Sequence, residues 1–164
     1  MVNLSKSKYC AMWQCPKMLW LRKYKPELAE VDSHTLSIME TGNAVGDLAM
    51  GLFGDFTEVT VYTDGEIDLP AMVRRTQEEI TKDTPVICEA SFEWNGLYCA
   101  VDILRREGDG WAIYEVKSST SDDKAVYIAD VAYQKFVLEH CGVKVTGTYL
   151  VVLNRDYIFD GTLD

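Results

Sequence analysis

Two apolar stretches near the middle of the chain each carry charge that an ordinary buried strand would lack. Asp102 sits within Val101-Asp102-Ile103-Leu104, and Glu115-Val116-Lys117 closes the run that starts at Trp111. On an extended strand, residues two apart face the same side, so Glu115 and Lys117 project together. Glu107-Gly108-Asp109-Gly110 is strong turn chemistry between the stretches, and a hairpin there would bring Asp102 alongside them. Two carboxylates and an ammonium would then converge. Hard divalent cations such as Mg²⁺ or Mn²⁺ prefer oxygen ligands, so Asp102, Glu115 and the Val116 carbonyl could form the protein half of an octahedral site. A metal held there generates hydroxide and stabilises negative charge growing on a phosphate, and Lys117 would add a second cation able to orient or activate the attacking water. That set suits phosphodiester hydrolysis. The alternative is an ordinary exposed Glu and Lys on a strand edge, because a Glu-x-Lys match taken alone is weak evidence.

The elements around these residues can be read from turn chemistry and periodicity. Asn95-Gly96 and Glu107 to Gly110 divide residues 86–118 into three strands of an antiparallel meander. A helix is expected over 124–141, ending at Gly142, and the β-branched run Lys144 to Leu153 reads as a strand near 145–153, added after a helical crossover. Upstream, Ser5 is placed to cap a first helical piece, Pro16 to open a second and Pro26 to close it. Residues 34–54 have mostly helical spacing, with Gly42 and Gly46 suggesting close packing, and a further helix should start at Pro70 and stop before Pro85. The expectation is an α/β fold whose mixed βββαβ sheet is flanked by helices and preceded by a helical amino-terminal segment. We read residues 1–164 as one domain, with a helical part at 1–84, a core at 85–154 and a tail at 155–164.

Length and composition agree with one domain: 164 residues, 48% of them hydrophobic, can bury one core. No apolar run is long enough to span a membrane and the start lacks a signal-type apolar region, so a cytoplasmic location is expected. Five scattered cysteines without a C-x-x-C pair indicate neither a disulfide framework nor a zinc site, and most read as small buried hydrophobes. The net charge of -10 argues against a general nucleic-acid coat. Basic charge is nonetheless concentrated locally, since residues 1–26 contain six Lys or Arg and no acid. Lys17, Arg22 and Lys23 within that segment are candidate DNA contacts, against the alternative of a solvated helix face. Neither histidine has a partner at a diagnostic spacing, and no phosphate loop is present.

The order acidic strand, Asp strand, turn, Glu-x-Lys strand and then a helix bearing Gln134 resembles the PD-(D/E)xK nuclease superfamily, in particular its RecB-like branch. "LSKSKYCAMWQCPKMLWL", with Cys15-Pro16, resembles that branch's amino-terminal helix, and "TGNAVGDLA" sits where an early helical motif is found. Glu89, Asp102, Glu115-Val116-Lys117 and "YIADVAYQ" with Asp130, Tyr133 and Gln134 continue the match. The resemblance implies a restriction-endonuclease-like core, metal on Asp102 and Glu115, catalytic assistance from Lys117, and a positioning role for Gln134 toward the site or DNA. Val101 replaces the proline that often precedes the aspartate. The early motif's histidine ligand falls on Gly46, leaving Asp47 as a candidate substitute. Cys15 matches the early cysteine of the cluster-binding CRISPR adaptation nucleases, but Cys141 is the only cysteine after the Glu-x-Lys, so no iron-sulfur cluster is expected within this chain. Glu89 reads as a supporting carboxylate or a sheet-edge charge, and Tyr133 as a base-stacking or a core residue.

The final "NRDYIFDGTLD", with Asp160 and Asp164, reads as an exposed tail leading toward a further domain or a protein partner absent from the chain. The expected function is a Mg²⁺- or Mn²⁺-dependent nuclease acting on DNA. A nuclease-fold binding or scaffolding module without activity is the main alternative, supported by the absent histidine and the acidic charge. An unrelated acidic interaction domain is a third.

Overall fold

The computed structural model describes residues 3–30, 32–159 and 161. In chain order its elements are β1 (Leu4–Ser5), α1 (Lys6–Gln14), α2 (Pro16–Tyr24), α3 (Ser33–Met50), β2 (Thr57–Glu58), β3 (Tyr62–Thr63), β4 (Glu66–Ile67), α4 (Leu69–Thr81), β5 (Val86–Trp94), β6 (Leu97–Glu107), β7 (Gly110–Lys117), α5 (Ala125–His140) and β8 (Val145–Val152). The architecture is α/β with a mixed sheet. Ser5 caps α1 by accepting from the Lys8 N–H, and Pro16 occupies the first turn of α2, where a missing N–H costs nothing.

The meander follows its turns. Asn95 and Gly96 both adopt positive φ, 50° and 81°, as a two-residue type I′ connection between β5 and β6 requires. At the next turn Gly110 matters for close approach: a Cβ there would stand 2.5 Å from the Lys144 carbonyl, where the chain enters β8. The β5–β6 and β6–β7 pairs are antiparallel, β8 adds parallel to β7 after α5, and β2 adds parallel to β5, giving the order β2-β5-β6-β7-β8. β1, too short to be visible in the sequence pattern, pairs parallel to β6 at Leu97 and Tyr98.

One sheet face packs Ile87, Ala90, Phe92, Cys99, Val101, Leu104, Trp111 and Ile113 with Tyr133, Val137 and Leu138 of α5. The other face packs Val86, Cys88 and Ile103 with Ala49 and Met50 at the end of α3. The strict alternation of a strand is broken in the middle of both β5 and β6. Ile87 and Leu104 share the α5 face with Ala90, Phe92, Val101 and Cys99, so the phase slips by one at Glu89 and Asp102. Glu89 carries the cause, a φ of 58° that strands otherwise avoid. A buried network holds it: the Ser91 hydroxyl donates to the Glu89 carbonyl at 3.0 Å, and the Ser91 N–H donates to Thr76 Oγ1 of α4 at 2.8 Å.

Several expectations need correction. The glycines of α3 do not serve close packing, since a Cβ at Gly46 would meet nothing within 4 Å and one at Gly42 only the Ser118 hydroxyl at 3.8 Å. Cys88 and Cys99 are buried, but Cys15 and Cys141 are exposed and Cys10 is intermediate, so burial does not account for most of the cysteines. In the tail, Ile158 and Phe159 are exposed, whereas Asp160 and Asp164 lie outside the described residues. Among the described residues, no helix is long and apolar enough to cross a membrane.

Candidate functional site

The β6–β7 ladder runs from Glu107↔Gly110 to Ile103↔Tyr114 and stops there. Beyond it β7 continues against β8 to Lys117, while β6 passes on the same edge to β1 at Tyr98 and Leu97. The strands therefore open into a fork, and Asp102, Glu115 and Val116 lie at its base. Asp102 closes the ladder with its side chain, accepting the Val116 N–H on Oδ2 at 2.7 Å. An N–H and C=O of one extended residue point to the same edge, so the Val116 carbonyl also faces the fork.

Glu115 projects toward α5 and is 2% exposed. Lys117 bridges it to Asp130, with Nζ 2.6 Å from Glu115 Oε1 and 2.7 Å from Asp130 Oδ2. Gln134, one helical turn beyond Asp130, donates its amide to Glu115 Oε2 at 2.6 Å and to Asp130 Oδ1 at 2.9 Å. These contacts place Nε2 and leave Gln134 Oε1 buried without a hydrogen-bond partner among the described residues. The second cation is Lys6, at the first turn of α1, with Nζ 3.0 Å from both Glu115 oxygens and 3.5 Å from Asp102 Oδ1.

The charges respond to this arrangement. Burial pushes the Asp102 carboxyl above its ordinary range, Lys6 opposes that, and Glu115 adds to it. Burial acts on Glu115 in the same sense but is outweighed by Lys6, Lys117 and the Gln134 amide, which hold it well below the usual carboxylate range. Two adjacent carboxylates thus differ in proton affinity because one has two ammonium partners and the other is left mainly to Lys6. The register through Cys88↔Ile103 and Ala90↔Val101 sets Glu89 opposite Asp102, and burial followed by Asp102 pushes the Glu89 carboxyl up to about 7.

A raised carboxyl pKa makes ionisation costly in the folded state. The penalty is absent below the ordinary value of 4.5 and complete above about 7. Glu89→Gln should therefore melt higher than the parent at pH 8 in EDTA, by on the order of 1–3 kcal/mol, with the difference closing toward pH 4. A gap of equal size at both pH values in thermal melts would contradict this account of Glu89.

Asp102, Glu115 and Val116 open on a cleft of about 680 Å³ that is also lined by Glu89, Glu58 and Asp47. The oxygen donors suit a hard divalent cation in kind, and Asp102 and Glu115 already share one positive charge, the Lys6 ammonium. Among the described residues, no three Asp, Glu, His or Cys side chains form a ready cage. Any such ion would draw its remaining ligands from the Val116 carbonyl, water or a bound anion.

The residues singled out from sequence divide clearly. Asp102, Glu115, Val116, Lys117 and Gln134 come together, and Glu89 and Asp47 reach the cleft. Glu115 and Lys117 are not an ordinary exposed pair, because their side chains are only 2% and 18% exposed, and Glu89 is partly buried where it lines the cleft. Tyr133 is not available for base stacking: it is buried, stacks on Tyr9 at 4.8 Å, and donates its hydroxyl to the Leu4 carbonyl at 2.8 Å. Lys17, Arg22 and Lys23 are exposed on α2 and do not line the cleft. Sequence reasoning missed Lys6 and the ion-pair role of Asp130. Asp130 had a signal, since it lies four residues before Gln134 on one helix face. Lys6 had none beyond its place in a basic segment.

The chain matches no protein-family model, no curated protein and no solved structure.

Proposed function

We propose that the chain is a metal-dependent nuclease that hydrolyses phosphodiester bonds of DNA through a PD-(D/E)xK-type, RecB-like site. The observation carrying this reading is the convergence of Asp102, Glu115, Lys117 and Gln134 at the fork of β6 and β7, open to a cleft. A divalent ion on Asp102, Glu115 and the Val116 carbonyl would supply a nucleophilic hydroxide and a counter-charge for the phosphate. Lys117, fixed between Glu115 and Asp130, provides a cation beside the reacting phosphate without having to reorganise. Gln134 holds Glu115 in one rotamer by donating to it from α5. Glu89, opposite Asp102, is a carboxyl able to accept a proton near neutral pH. Lys17, Arg22 and Lys23 on α2 are the proposed DNA contacts outside the cleft.

The deciding experiment is a gel assay on single- and double-stranded DNA and RNA, with and without Mn²⁺, for the parent and Lys117→Met. The parent should cleave DNA only with Mn²⁺. Lys117→Met should cut roughly 10²-fold more slowly while Mn²⁺ binding by calorimetry persists, since both carboxylates remain. Equal cleavage by the two proteins would remove Lys117 from the chemistry. The second reading, an inactive nuclease-fold binding module, is favoured by one observation: Lys6 fills the position between the two carboxylates. On that reading the parent cleaves nothing under any condition.

A further inference from the structure

Lys6 is delivered to the fork by several anchors. The Asn3 and Leu4 N–H groups donate to the Gly96 carbonyl at 2.8 and 3.1 Å, and the Leu4 carbonyl accepts from Tyr133 at 2.8 Å. The α1 cap on Ser5 and the Tyr9–Tyr133 stack fix the helix whose first residue is Lys6. Its position is therefore built by the fold, although its side chain is 20% exposed.

The Lys6 ammonium takes hydrogen-bond distances to both Glu115 oxygens and lies 3.5 Å from Asp102. A divalent ion bound by the same two carboxylates would sit at about 2.0–2.6 Å from their oxygens. It would thus fall on or beside Nζ, and the two positive charges would repel strongly at such a separation. Both cannot be present. Lysine has a flexible four-carbon stem, so the displaced ammonium can move off the carboxylates toward a bound phosphate while its backbone stays anchored.

We propose that Lys6 is a phosphate-binding residue of the substrate complex, held by Asp102 and Glu115 until a divalent cation takes over those carboxylates. This rests on the metal-dependent reading of the site. It adds a cationic contact to the nucleic-acid backbone that is available only when the metal is bound. Without metal, the same ammonium neutralises the carboxylate pair. Substrate affinity at the site is thereby tied to metal occupancy through one side chain.

The test uses the full chain as parent, Lys6→Met and Lys6→Gln, the last retaining a hydrogen-bond donor toward Glu115 should the methionine variant fail to fold. Calorimetry with Mn²⁺ measures ion affinity. Fluorescence anisotropy with a short labelled DNA oligonucleotide, in Ca²⁺ and separately in EDTA, measures substrate binding. The variants should bind Mn²⁺ about tenfold more tightly, because the Lys6 ion pairs no longer have to be broken, and in Ca²⁺ should bind the oligonucleotide about tenfold more weakly than the parent. In EDTA the variants should bind it only slightly more weakly, since without Lys6 the metal-free site is one charge more negative. Unchanged Mn²⁺ affinity, or an oligonucleotide defect of equal size in EDTA and Ca²⁺, overturns the proposal while leaving the nuclease reading intact. Tighter Mn²⁺ binding with no Ca²⁺-dependent oligonucleotide defect also overturns it and reduces Lys6 to a counter-ion. Absence of Mn²⁺ binding by all three proteins overturns both readings.

Discussion

Asp102→Asn is expected to abolish metal-dependent cleavage without unfolding the protein. The substitution keeps an oxygen able to accept the Val116 N–H, so the end of the β6–β7 ladder survives, whereas Asp102→Ala would leave that donor without its partner. It removes one of the two charged oxygen ligands on which the proposed ion depends. A loss of several kcal/mol of transition-state stabilisation corresponds to at least ~10³-fold in rate, and Mn²⁺ binding should become undetectable by calorimetry. Stability should move the other way. Burial and the neighbouring Glu115 make ionised Asp102 costly, and Glu89 stands opposite it, so a neutral isostere relieves repulsion while Lys6 keeps both Glu115 oxygens. A melting temperature in EDTA equal to or above the parent's, together with lost Mn²⁺ binding, is the expected pair of results. A variant that still binds Mn²⁺ and still cleaves would show that Asp102 is not a ligand.

The core was legible in the sequence because its signals are local. Asn95-Gly96 and Glu107 to Gly110 fix two hairpins, and the two-residue period of β7 brings Glu115 and Lys117 to one face, as observed. The helix expected over 124–141 is found at Ala125–His140, and the strand expected near 145–153 at Val145–Val152. What escaped depends on long-range pairing. β1 is two residues long, and its partner lies more than ninety positions away, so no periodicity announces it. Lys6 acquires its meaning only through that pairing. The phase slip at Glu89 and Asp102 is equally hidden, because alternation assumes an unbroken pleat and a positive φ at a glutamate has no compositional marker. Tyr133 illustrates the opposite case: an aromatic near a predicted site is as readily used to tie Leu4 and Tyr9 to α5 as to meet a base.

Glu115→Ala, by contrast with Asp102→Asn, should destabilise the fold severely. Glu115 is the common partner of Lys6, Lys117 and the Gln134 amide, at distances of 2.6–3.0 Å, in a position only 2% exposed. Its removal strands positive charge and a buried amide that have no replacement acceptor except Asp130 and Asp102. Breaking a buried ion pair by deleting one partner typically costs about 3–5 kcal/mol, because the surviving charge remains desolvated. For a chain of this length that is on the order of 10 °C in melting temperature. The pH dependence gives the effect a signature. Lys6, Lys117 and Gln134 hold the Glu115 carboxyl below its ordinary value of 4.5 against the effect of burial, so its contribution is complete above that value and fades as the pH falls below it. The gap between parent and Glu115→Ala should therefore be widest at neutral pH and narrow as acid protonates the parent's own Glu115. Glu115→Gln should fall between them, since it preserves one acceptor but not the charge. A parent and Glu115→Ala that melt together at pH 7 would show that these contacts do not stabilise the fold, and that the cluster is held in place by its surroundings alone.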